Sequence, residues 1–162
     1  MQINTANKSF KIIFWCIMIC YMIILTKLVI FKQSPGYIKH FFLHEYGWKK
    51  LRQSWHHANL IPLKSIKLYL TTKDQDVNPL TNLLGNIVGF VPLGFLLPLL
   101  FIKLRSFIRT IAIVFSIRLG FETFQLVTDL GYFDVDDLLL NTIGGMIGYL
   151  AFALVKKMKL LN

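Results

Sequence analysis

The chain has 162 residues, 55% of them hydrophobic, with a net charge of +10 and a mean hydropathy of +0.57. A soluble domain of this size needs more polar surface than that, and the length leaves no room for a second globular unit. Eighteen Lys and Arg against eight acids would suit nucleic acid, but the charges flank apolar blocks, so helix ends and anionic headgroups account for them and nucleic-acid binding is set aside.

The first apolar block covers 10–31, with Lys8 and Lys11 at its start. It is longer than the ~7–15 residues of a signal-peptide core and no small-residue cleavage site follows, so it reads as an anchor. Cys16 and Cys20, one turn apart inside it, have no zinc or redox spacing and read as packing residues.

The loop 32–81 mixes Tyr37, Phe41, Phe42, Tyr46, Trp48 and Trp55 with Lys39, Lys49, Lys50, Arg52, His56 and His57. Rings and cations together suit the headgroup layer, which predicts interfacial helices serving as a collar or as a cationic entrance for a lipid headgroup. His40 and His44 have the spacing of a helical zinc pair, but Glu45 alone does not complete a metal site.

Three further spans are predicted at 82–102, 110–128 and 138–155, each near the ~20 residues that cross a hydrocarbon core. Pro92 and Pro98 are expected to kink the second, as membrane bundles tolerate. The expected fold is therefore all-α, a single polytopic membrane domain over 1–162 with four transmembrane helices. Lys103, Arg105 and Arg109 follow the second span, Asp129, Asp134, Asp136 and Asp137 the third, and Lys156, Lys157 and Lys159 the fourth. The positive-inside rule then puts both termini in the cytoplasm and the long loop and acidic loop outside, against the dissent of eight basic residues in that long loop.

Spacing within the spans carries the functional signal. Arg118, Glu122, Gln125 and Asp129 share one face of the third span; Asn82, Gly85, Asn86 and Gly89 one face of the second; Asp137, Asn141, Gly144 and Gly148 one face of the fourth. All three stripes lie in the same half of the membrane whichever way the chain is inserted. Arg118 is about nine residues beyond Arg109, hence ~13 Å deep at ~1.5 Å per residue. A charge near the bilayer centre costs ~2.5–3.5 kcal/mol on insertion scales, so Arg118 is expected to pair with Glu122 or to be kept for a ligand phosphate or carboxylate. The bland alternative is helix packing through Gly85-x-x-x-Gly89 and Gly144-x-x-x-Gly148, with the amides as interhelical hydrogen bonds. In Phe133-Asp134-Val135-Asp136-Asp137, Asp134 or Asp136 can cap the fourth helix. Three acids in four residues exceed what capping needs, and a divalent cation bridging them to a lipid phosphate is the sharper alternative.

Several stretches together resemble the VanZ-like family of bacterial membrane proteins. They are Asn59-Leu60-Ile61-Pro62-Leu63, Asn82-Leu83-Leu84-Gly85-Asn86, Phe90-Val91-Pro92-Leu93-Gly94, Glu122-Thr123-Phe124-Gln125, Phe133 to Asp137, and Asn141-Thr142-Ile143-Gly144-Gly145. Each is weak alone; the ordered set, over more than half the chain, is specific. The resemblance implies a multipass cell-membrane protein of a family associated with resistance to the glycopeptide teicoplanin. Many relatives have an Arg before the Phe-Asp pair, where this chain has Tyr132, and Arg118 is the candidate to take its role. The first span and most of the first loop lie outside the resemblance.

The leading expectation is a non-enzymatic protein whose cleft, lined by Asn82, Asn86, Arg118, Glu122, Gln125, Asp134, Asp136, Asp137 and Asn141, binds or shields a lipid-linked cell-wall precursor or a lipoglycopeptide. The alternative is an intramembrane enzyme on a lipid-linked phosphate or sugar, with Glu122, Asp136 and Asp137 as acid, base or metal ligands. No nucleophile elbow or phosphate loop accompanies them. No cofactor is otherwise implied. Membrane lipids are the expected partners, and a homo-oligomer stays open, since four spans without an inverted repeat would make a transporter only as a dimer.

Overall fold

The computed structural model describes residues 8–30, 48–71, 79–128 and 130–158. They form six α-helices: α1 (Lys8–Ile30), α2 (Trp48–His57), α3 (Lys64–Thr71), α4 (Pro79–Leu100), α5 (Phe107–Thr128) and α6 (Val135–Lys157). A 3₁₀ turn, Ile102–Leu104, joins α4 to α5. Among the described residues there is no strand, only a parallel bridge between Asn59 and Asp134. Four of the helices, α1, α4, α5 and α6, are long and apolar enough to cross a membrane. The fold is thus the expected all-α membrane domain, with two short helices in the loop after the first span.

Helix boundaries follow from local chemistry. Asp134 is extended and its side chain accepts from the Asp136 amide, capping α6; Asp136 and Asp137 occupy the first turn, Lys156 and Lys157 the last, so charge opposes the macrodipole at both ends. Pro79 opens α4, where a missing N–H costs nothing. The helix then runs unbroken through Pro92 and Pro98. The loop after α4 is tied down from a distance: the Tyr149 hydroxyl donates to the Arg105 carbonyl and the Thr110 hydroxyl to that of Leu104.

α4 and α6 share the largest helix–helix interface, and glycines create it. A Cβ on Gly144 would lie 2.0 Å from the Ile87 carbonyl oxygen, and one on Gly148 equally close to that of Val91. From the other side, a Cβ on Gly94 would meet the Gly145 carbonyl at 2.0 Å. The small-residue reading therefore holds for α6 but not for Gly85 and Gly89, where a Cβ would meet nothing within 4 Å. On α4 it is Gly94, outside the expected motif, that packs.

The core lies between these helices, with Phe90, Leu93, Leu96, Leu97, Val114 and Phe152 buried. α5 buries Thr110, Val114, Arg118, Glu122, Gln125 and Leu126, a stripe that is polar through its centre. α1 packs on α4 and is the least buried of the four spans. Its Ile12, Ile13, Ile23, Ile24 and Leu28 are exposed and suit contact with lipid chains.

Replacing Gly144 or Gly148 by Ala is expected to push α4 and α6 apart and cost about 1–3 kcal/mol, whereas Gly85→Ala and Gly89→Ala leave stability unchanged or raise it. Thermal melts of the purified variants in detergent, read by size exclusion, check this; equal loss in all four would refute the distinction between the two glycine sets.

Candidate functional site

The polar ends of α4, α5 and α6 meet at one end of the bundle. Arg118 and Glu122, 3% and 0% exposed, form an ion pair along α5. The same Arg118 Nη2 donates across to Asp137 Oδ2 of α6 at 2.9 Å. Asn86 of α4 donates to the other oxygen of Asp137 at 2.5 Å, so Asp137 links all three helices. Asn141, one turn further along α6, donates to the Asp137 carbonyl at 2.5 Å. The second oxygen of Glu122 accepts the Asp134 amide at 2.8 Å. Gln125 donates to the Val29 carbonyl of α1 at 2.8 Å. Inside a membrane every such group needs a protein partner, and the stripes supply them to one another.

The three acids at the start of α6 have separate tasks. Besides capping α6, Asp134 accepts from Asn59 Nδ2 at 2.9 Å and from the Ser65 hydroxyl at 2.5 Å. Asp136, 1% exposed, accepts the backbone N–H groups of Leu63, Ser65 and Ile66 at 2.5, 2.7 and 3.2 Å. It thereby caps α3 rather than its own helix. The backbone of Asn59 adds two bonds, to the Phe133 carbonyl and from the Val135 amide, at 2.7 and 3.0 Å. Leu63 has φ of 66°, a left-handed conformation that costs a leucine on the order of 1 kcal/mol or more. Its N–H points at Asp136 as a result. Only Asp137 turns towards the bundle. Among the described residues, no group of three or more His, Cys, Asp and Glu is arranged to hold a metal ion.

Two neighbouring cavities result. The inner one, about 210 Å³, lies among α1, α4, α5 and α6 and is lined by Asn82, Asn86, Arg118, Gln125, Asp137 and Asn141, with Leu25, Leu28 and Val29 as its α1 wall. The outer one, about 740 Å³, is bounded by His57, Lys64, Tyr132 and the Asn59–Asp134 contact, and shares Asn82, Gln125 and Asp137 with the inner one. Tyr132 does not reach the inner chamber; it is exposed and its ring lies 5.2 Å from that of His57.

Of the expected cleft residues, Asn82, Asn86, Arg118, Gln125, Asp137 and Asn141 line the inner chamber, while Glu122 sits behind Arg118 as its partner. Asp134 and Asp136 are placed instead in the seam with the first loop. Asp129, His40, His44 and Glu45 lie outside the described residues, as do Tyr37, Lys39, Phe41, Phe42 and Tyr46. His56 and His57 are exposed. The sequence offered no role for Asn59 and Ser65, and none for the α1 wall. The surplus of acids in the Phe133–Asp137 segment was the available sign that something besides α6 needed capping.

Asp136→Ala removes the acceptor for three backbone amides. Hydrogen exchange of residues 63–71 is expected to accelerate by the equivalent of at least about 2 kcal/mol, with α4 to α6 little changed. Unchanged exchange there would mean that Asp136 does not hold α3.

A family profile described as VanZ/LLP1 matches residues 14–156. Protein VanZ of Enterococcus faecium is 33% identical over 75 residues, 46% of this chain and 46% of that protein. The match thus spans about half the length of this curated relative. No solved structure matches the chain. The profile takes in most of α1 and the whole first loop, of which the motifs alone cover only Asn59 to Leu63. Running from the first turns of α1 to the last turn of α6, it shows that this four-span membrane protein belongs to the VanZ/LLP1 family.

Proposed function

We propose that this protein lies in the bacterial cell membrane and lowers susceptibility to teicoplanin-type glycopeptide or lipoglycopeptide antibiotics. It would do so by binding or shielding a cell-envelope lipid, or the antibiotic itself, through the polar cleft between α4, α5 and α6. The observation that carries the reading is the chamber of about 210 Å³ that lies between membrane helices yet is lined by Asn82, Asn86, Arg118, Gln125, Asp137 and Asn141. Polar side chains facing a cavity inside a membrane bundle are costly to keep and mark a ligand site. Membership of the VanZ/LLP1 family supplies the link to glycopeptide resistance.

Binding is preferred to catalysis because of how the carboxylates are used. An acid–base or metal mechanism asks for a carboxylate able to exchange a proton or gain a ligand. Glu122 is engaged by Arg118 and the Asp134 amide, and Asp136 by three backbone amides. Cells expressing the wild type should tolerate more teicoplanin than cells expressing Glu122→Gln or Asn86→Ala at equal membrane protein levels. Equal tolerance would remove the cleft from the account.

The charge pattern further supports both termini and the loop at Lys103 to Arg109 in the cytoplasm, with the chamber in the outer half. In a background lacking Cys16 and Cys20, Tyr132→Cys is expected to react with an impermeant maleimide in intact cells, and Ser106→Cys only after the cells are opened. The reverse pattern would invert the topology.

A further inference from the structure

The chamber restricts what can occupy it, first by size. At about 210 Å³ it falls below the ~300–1,000 Å³ of sites for drug-sized ligands, so a whole glycopeptide does not fit but a single sugar ring does.

Charge is the second restriction. Arg118 is already matched by two carboxylates, Glu122 and Asp137. One guanidinium against two carboxylates leaves surplus negative charge that repels a phosphate, and each charged group is already engaged, Glu122 also by the Asp134 amide and Asp137 also by Asn86. Uncharged hydrogen-bonding capacity is what remains. Asn86, Gln125 and Asn141 each direct their NH₂ at a protein oxygen, which fixes the amide orientation. No described hydrogen bond uses the three amide oxygens. Among the described residues the buried Arg118 Nε has no hydrogen-bond partner, and Asn82 adds a further amide where the two cavities share their lining. Sugar hydroxyls, each both donor and acceptor, match such a lining of neutral acceptors with a few donors.

Access is the third. Leu28 and Gly85 line the chamber, yet Leu28 is 64% exposed and Gly85 is exposed as well, so among the described residues the α1–α4 wall is where it meets the bilayer. A side chain on Gly85 or Gly89 would occupy open space, although the Gly89 carbonyl accepts the Tyr21 hydroxyl of α1 at 2.7 Å.

We propose that the chamber takes the uncharged sugar headgroup of a membrane glycolipid, which enters sideways from the bilayer between α1 and α4 and leaves its acyl chains along Leu28, Gly85 and Gly89. This rests on the reading of the chamber as a ligand site, and it selects the lipid over the antibiotic as the occupant.

The full-length protein in phosphatidylcholine nanodiscs is titrated with radiolabelled monoglucosyl diacylglycerol and, in separate arms, with phosphatidic acid, stearylamine and free glucose. Saturable binding of the glucosyl lipid alone is expected, weakened at least about ten-fold by Gly85→Leu and by Asn82→Ala, with both variants melting like the wild type. Tighter binding of phosphatidic acid or stearylamine, equal binding of free glucose, glucosyl-lipid binding indifferent to both substitutions, or no binding in any arm would each overturn the proposal. Teicoplanin susceptibility of cells expressing Gly85→Leu separates this from the broader reading. Resistance lost without glycolipid binding in the wild type keeps the cleft and removes the sugar-headed lipid. Glycolipid binding with resistance untouched by Gly85→Leu keeps the lipid and removes the cleft from resistance.

Discussion

A guanidinium carried into a membrane span has to be neutralised by protein, and much of this end of the molecule is arranged around that requirement. Arg118 cannot reach water easily from its depth in α5, and its Nη2 is taken by Glu122 and Asp137 together. Each of those carboxylates is then held by something else. Glu122 accepts a backbone amide from the loop before α6, and Asp137 accepts Asn86 from α4. A buried ion pair contributes little net stability once desolvation is counted, but removing one partner leaves a charge stranded at a cost of about 3–5 kcal/mol. The triad therefore acts less as glue than as a register pin. It allows one relative position of α4, α5 and α6 and penalises others.

The second tier is the seam between the first loop and α6. Asp134 and Asp136 reach outward from the helix start to Asn59, Ser65 and the first amides of α3. One helix N-terminus thus supplies the anions that cap another, and a left-handed Leu63 is held in place by the arrangement. Because Glu122 accepts the Asp134 amide, the seam and the buried triad are joined by a hydrogen bond. A chain of three contacts, from Asn59 to Asp134, from the Asp134 amide to Glu122 and from Glu122 to Arg118, thus runs from the rim of the outer cavity to the lining of the inner one.

Sequence legibility follows the same division. The spans were readable because hydrocarbon imposes length and hydropathy, and the stripes because polar residues inside a span have few reasons to be there. Arg118 with Glu122 was readable from an i, i+4 spacing alone. The destination of Asp136 was not. Its partners are backbone amides of Leu63, Ser65 and Ile66, which carry no side-chain signature, some 70 residues away. For the same reason Gln125 gave no hint of Val29, whose carbonyl it engages. The pairing of glycines failed differently. Gly85-x-x-x-Gly89 and Gly144-x-x-x-Gly148 are alike as strings, and only the position of the neighbouring backbone tells one from the other.

That difference between the glycines bears on what the bundle is for. In α6 the absent side chains let α4 approach until carbonyl oxygens fill the space a Cβ would need. In the first turns of α4 the absent side chains leave space unfilled, beside Asn82 and Asn86 and opposite the loosely packed α1. Glycine inside a helix costs roughly 1 kcal/mol relative to alanine. The α6 glycines recover that cost through close packing, whereas a Cβ on Gly85 or Gly89 would obstruct no neighbour. A pair of residues that weakens the helix and faces open space where a side chain would stand is best explained by the volume it preserves, and that volume adjoins the polar stripes of all three inner helices.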